Sequence, residues 1–118
     1  MKYKLQDYIL FENDDFIVIN KPYGLAVQGG SGVGKHLDML LPALQYEMDG
    51  PPKLVHRLDR DTSGVLVLAR TREAAADLQK GFANNRLKKV YVALCAGVPG
   101  AYKGEIVSRM EKAARGKD

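Results

Sequence analysis

No tryptophan occurs among these 118 residues, and the only cysteine is Cys95. A lone cysteine excludes an intramolecular disulfide, so stability must come from a packed core, and it fits a reducing compartment. The two histidines, His36 and His56, are too far apart in sequence to match the spacing of a zinc site, and no metal is expected. Apolar runs such as 16–19 and 65–69 are far shorter than the ~20 residues a membrane-spanning helix requires. The opening Met-Lys-Tyr-Lys-Leu-Gln-Asp has a positive start with no apolar stretch behind it, so no secretory signal is expected. These absences together point to a cytoplasmic protein with no membrane association.

What is present is ordinary globular composition, 46% hydrophobic and 27% charged, in a length suited to one domain over 1–118. The charge is unevenly placed. Residues 1–52 hold four Lys/Arg against seven Asp/Glu, whereas residues 53–118 hold fourteen against seven. A basic second half on an acidic first half suggests a polyanionic partner for the former.

The hydrophobic pattern predicts strands at 8–12 and 16–20 around an Asn13-Asp14-Asp15 turn. A short helix is expected over 36–41, ending before Pro42, then a loop at Asp49-Gly50-Pro51-Pro52. Leu54-Val55 reads as a short strand, and 65–69 as a buried central strand. Thr71 is a candidate N-cap with Glu73 in the first turn, opening a helix that runs to about Asn84. Ala75, Leu78 and Phe82 are spaced to face the core. Further strands are predicted at 88–96 and 104–107, with a polar, basic loop from Ser108 onward. Strands outnumber helices without alternating with them, which indicates an α+β fold with a mixed, largely antiparallel sheet and flanking helices.

Three motif matches fail on chemical grounds. Residues 29–35 fit the phosphate-binding G-x-x-x-x-G-K, but His36 stands where magnesium chemistry needs a hydroxyl, and no strand leads directly into the loop. Asp59-x-Asp61-x-Ser63-Gly64 opens like a calcium loop, but its twelfth position is Arg70 rather than a bidentate Glu. Asp61-Thr62-Ser63-Gly64 resembles an aspartic-protease turn, but no second copy supplies the partner carboxylate. Neither a nucleotide nor a metal cofactor is therefore expected.

The block from His56 to Gly64, His-Arg-Leu-Asp-Arg-Asp-Thr-Ser-Gly, is different in kind. It sets cations around two carboxylates, and Leu58 in its middle requires contact with a core. A carboxylate beside Arg57 or Arg60 there stays ionised and oriented, which suits a nucleophile or base and equally suits a structural ion pair. His56 reads as a hydrogen-bonding structural residue rather than a general base.

This block resembles the His-Arg-Leu-Asp-x-x-Thr-Ser-Gly signature of RluA-type RNA pseudouridine synthases. Asn20-Lys21-Pro22-x-Gly24 with Ala26-Val27-x-Gly29-Gly30-Ser31-Gly32 is similar to the family's upstream segment, and Lys89-x-Tyr91-x-Ala93 to its downstream one. Within the family, the run looks most like bacterial enzymes that modify large-subunit ribosomal RNA. The resemblance implies conversion of uridine to pseudouridine without a cofactor, with Asp59 as the catalytic carboxylate. It implies that Arg57 enters the space left by the flipped base and that Tyr91 packs on the uracil. Arg86, Lys88 and Lys89 are then expected to hold phosphates, while Thr62 and Ser63 shape the turn and Asp61 is structural. Family members continue for roughly another hundred residues with a Gly-Arg-Thr-His-Gln-like segment. The chain is accordingly expected to be the N-terminal portion of such a domain, with oligomerisation or a partner covering its sheet edges. The competing expectation is a noncatalytic RNA-binding module that keeps the fold.

Overall fold

Asn13 decides how the chain first turns. Its side-chain oxygen accepts from the N–H groups of Asp15 at 2.8 Å and Phe16 at 2.9 Å, closing a tight reversal. In the computed structural model, which describes residues 4–29 and 36–108, this turn joins β1 (Ile9–Glu12) to β2 (Phe16–Lys21). With β3 (Lys53–Leu54) and β4 (Gly64–Ala69) these form a four-stranded sheet in the order β1-β2-β4-β3. All three ladders are antiparallel, and the one parallel contact among the described residues is a bridge between Ala26 and His36. The expected α+β class and largely antiparallel sheet are what the molecule shows. The chain divides into two units, 1–87 and 88–118, and everything described so far belongs to the first.

Strand alternation sorts the side chains of the inner strands. Ile17 and Ile19 on β2 and Leu66 and Leu68 on β4 point the same way and are fully buried. Each such side chain is worth about 1.5–3 kcal/mol of burial. Two 3-10 helices, Leu5–Tyr8 and Leu37–Leu44, supply Leu5, Leu37, Leu41 and Leu44 to the same core, which Leu25, Val27 and Leu58 complete.

β4 is an inner strand as expected, but it is not buried on both faces. Val65 lies on the side away from this core and is 59% exposed. An unbroken apolar run does not distinguish one covered face from two. The second 3-10 helix also runs past Pro42 rather than stopping before it. Proline lacks one donor, and its fixed φ suits a 3-10 turn, so a short i→i+3 segment tolerates it where an α-helix interior would not. The pairing of β3 begins at Lys53, one residue earlier than predicted.

The helix α1 (Arg72–Ala83) starts where the sequence places it, with the Thr71 hydroxyl accepting from Ala74 N–H at 3.0 Å and Glu73 in the first turn. Ala75 is buried, and Leu78 and Phe82 are half-buried. Its end is a Schellman motif. Asn85 adopts φ +57°, its N–H donates to Phe82 C=O, and Arg86 N–H donates to Gly81 C=O at 2.9 Å. The side chain of Leu87 closes over Gly81, where an added Cβ would come within 3.3 Å of it.

In the second unit, the described residues 88–108 form neither helix nor strand, so the strands predicted at 88–96 and 104–107 are not found. Val90, Val92, Leu94 and Ile106 are all exposed there. A strand is completed only by a neighbour's hydrogen bonds, and these segments join none of the ladders formed among the described residues. Of the Gly-rich stretch 29–34 all but Gly29, and of the loop expected from Ser108 onward all but Ser108, lie outside the described residues. No described helix is long and apolar enough to cross a membrane.

Candidate active site

Between the end of β3 and the start of β4 the chain leaves the sheet for nine residues, 55–63. Leu58, 7% exposed, is the anchor of this loop in the core, and its neighbours Arg57 and Asp59 are both exposed. That exposed-buried-exposed order presents the guanidinium and the carboxylate outward on either side of one apolar peg. Beyond it, Thr62 N–H donates to Asp59 C=O at 3.0 Å, closing a turn through Arg60 and Asp61. Thr62 thus shapes the turn through its backbone. Gly64, at φ +128°, returns the chain to β4 in a conformation that L side chains rarely adopt.

The turn is fixed from outside by Lys21. Its side chain is fully buried, and Nζ donates to the carbonyls of Leu25 at 2.7 Å, Pro22 at 3.0 Å and Arg60 at 3.2 Å. Gly24 N–H donates to the same Arg60 carbonyl at 2.8 Å, and its φ of +87° aims it there. Residues 21–25 and the turn at 59–62 are thereby one hydrogen-bonded unit. Burial lowers the Lys21 pKa from the ordinary lysine value, and the negative charges of Asp61 and Asp59 oppose that shift. The sequence motif that contains Lys21 assigns it no role, yet strict alternation puts Ile17, Ile19 and Lys21 on the same inward face of β2.

The charges around Asp59 differ from expectation. Arg60 Nε contacts the Asp61 carboxylate at 3.4 Å, and both side chains are well exposed, so the pair contributes little. Among the described residues, no side chain hydrogen-bonds the Asp59 carboxylate; Lys21 is the cation that senses it. An outward carboxylate on a pinned turn, two residues from an outward guanidinium, can add to an electrophile or take a proton while the cation contacts the same ligand.

His56 acts structurally, as its sequence context suggested. Its Nε2 accepts from Val67 N–H at 2.9 Å, and its ring packs on Phe82 with centroids 4.6 Å apart. Since Phe82 lies in the last turns of α1, this contact ties the helix end to the start of the loop. Arg86 follows directly, held by the Schellman motif in the same unit as Arg57 and Asp59. Lys88, Lys89 and Tyr91 fall in the second unit, where all three are exposed. A separate hollow lined by Glu12, Tyr46, Glu47 and Arg70 sits where β4 ends. There Arg70 donates to Asn13 C=O at 2.7 Å and stands 5.8 Å over the Tyr46 ring, which accounts for it as a structural joint.

Residues 15–118 match a protein family described as RNA pseudouridylate synthase. A mitochondrial pseudouridylate synthase of Xenopus tropicalis is 42% identical over 118 residues, covering 96% of this chain and 36% of that protein. Ribosomal large subunit pseudouridine synthase C of Rickettsia felis is 42% identical over 106 residues, covering 90% of this chain and 34% of that protein. The solved structure of human RNA Pseudouridylate Synthase Domain Containing 4 aligns with a TM-score of 0.61 at 36% identity, over 70% of this chain and 31% of that one. The chain spans roughly a third of the length of these relatives.

Proposed function

The chain belongs to the RNA pseudouridylate synthase family, and on that premise we propose that Asp59 is the catalytic carboxylate for isomerising uridine to pseudouridine in structured RNA. The observation that carries this reading is the loop itself, which Leu58 and Lys21 hold so that Asp59 and Arg57 face outward together. The reaction breaks the C–N glycosidic bond, turns the base and joins its C5 to the sugar. A carboxylate suits it by adding to the ring or the sugar, or by taking a proton from the sugar. A uridine in structured RNA must leave its stack first, at a cost of a few kcal/mol. Arg57 fills the vacated space, and Arg86, Lys88 and Lys89 neutralise phosphates. Tyr91 packs against the displaced uracil. Large-subunit ribosomal RNA is the proposed substrate, by analogy with the ribosomal large subunit pseudouridine synthase C of Rickettsia felis.

Tritium release from RNA labelled at uridine C5 tests the assignment. Wild-type protein is expected to release tritium, and Asp59→Asn to release none while binding RNA nearly as well. Turnover by Asp59→Asn close to wild type would refute the role of Asp59. A second reading rests on the basic excess of residues 53–118, fourteen Lys/Arg against seven Asp/Glu. In it, this chain binds RNA with a steep salt dependence and leaves uridine unchanged.

A further inference from the structure

The pairing of β3 with β4 stops abruptly, and a side chain stops it. Lys53 pairs with Ala69 and Leu54 with Leu68, so in the same register the next pair would be Val55 with Val67. That rung is not made by backbone. The N–H of Val67 donates instead to Nε2 of His56, at 2.9 Å. The imidazole occupies the acceptor position that the β3 backbone would have supplied, and the strand ends without leaving an inner-strand donor unsatisfied. Freed from the ladder at this point, the chain turns away, and the next three residues are Arg57, Leu58 and Asp59.

We propose that His56 is a positioning residue whose ring replaces one rung of the β3–β4 ladder and thereby sets where the Arg57–Asp59 loop leaves the sheet. The proposal rests on the reading of Asp59 as the catalytic carboxylate for its functional meaning, though not for its geometry. Three further observations make the ring a fixed point. Its face is packed on Phe82 of α1, so it cannot swing freely. Its donor is a main-chain N–H of an inner strand, the least mobile partner available. Leu58, two residues on, is inserted in the core, so the loop is held at both ends of a two-residue span. A ring accepting at Nε2 is neutral and carries its proton on Nδ1. A ring protonated on both nitrogens cannot make this bond. Were β3 to run one rung further, the outward pair Arg57 and Asp59 would begin from a different point on the sheet edge.

Nuclear magnetic resonance on the chain tests this without turnover. Long-range proton–nitrogen spectra of wild type are expected to show the Nδ1–H tautomer with Nε2 bare. In His56→Ala, exchange of the Val67 amide should quicken about tenfold relative to Leu66 and Leu68. The backbone signals of Arg57 and Asp59 should shift in the same variant. In His56→Gln, whose amide oxygen reaches toward the place of Nε2, the Val67 protection and both signals should return toward wild type. An Nε2-protonated ring, a Val67 amide still protected in the alanine variant, or a failure of glutamine to restore it would each overturn the proposal. If the alanine variant does not fold, the wild-type tautomer and the glutamine variant decide it alone. Tritium release by Asp59→Asn addresses the catalytic reading independently, so failure of either idea is recognisable from its own measurement.

Discussion

Residues 56–63 and residues 88–96 both set charged side chains among apolar ones, and both carry family-like motifs. The first stretch is tied to its unit by four kinds of contact: a core leucine, a histidine on a strand amide, a lysine on a carbonyl and a glycine N–H on the same carbonyl. The second has the composition of a strand and, in the described residues, neither ladder nor burial. The difference lies in where each gets its order. The loop is satisfied by groups within the same 87 residues, whereas a strand's polar backbone and alternate side chains need a neighbour on at least one edge. Local composition is therefore informative about a loop with built-in anchors and nearly silent about whether a strand-like segment finds a neighbour to pair with.

That contrast is open to direct test. The largest effect should come from a pair of truncations. Leu58→Ala is expected to destabilise the first unit by about 3 kcal/mol through cavity formation. Val92→Ala, at a side chain 97% exposed, should stay within about 0.5 kcal/mol of wild type. Urea unfolding of both variants measures this, and equal costs would erase the distinction.

Lys21→Met comes next, at about 2 kcal/mol, because it takes the side-chain donor from the carbonyls of Pro22 and Leu25 and leaves Arg60 C=O with the Gly24 N–H alone. Its pH dependence follows from the lowered lysine pKa. Between that lowered value and 10.5 the unfolded chain holds more protons than the folded one, so the wild type should gain stability relative to Lys21→Met as pH rises through that window. Denaturation midpoints compared at neutral and alkaline pH read the sign.

The smallest effect is expected at the end of α1. Asn85→Ala places a Cβ-bearing residue without a helpful side chain in the left-handed region and should cost about 1 kcal/mol, read as a lowered Tm. Arg86 should lose its fixed setting with it.

Much of the first unit was legible in the sequence, for identifiable reasons. The Asn13 turn, the Thr71 cap and the inner strands are set by neighbours within a few residues, and each was found. Leu58 announced a core contact because a solvated loop has no use for it. What escaped depended on distance in sequence. Lys21 meets Arg60 across 39 positions and Val67 meets His56 across 11, and no local rule pairs them. The 3-10 helix Leu5–Tyr8 is too short to generate a period, and the exposed face of β4 depends on what does or does not cover it.

Two backbone hydrogen bonds join residues 26–27 to the start of the second 3-10 helix. Leu37 N–H donates to Ala26 C=O at 2.7 Å and Asp38 N–H to Val27 C=O at 2.9 Å. Residues 25–27 are thus gripped twice, by the buried ammonium of Lys21 at Leu25 and by these rungs at Ala26 and Val27. A disturbance at the start of the second 3-10 helix therefore has a short covalent route to the Lys21 clasp, and through the shared Arg60 carbonyl to the turn that carries the outward carboxylate.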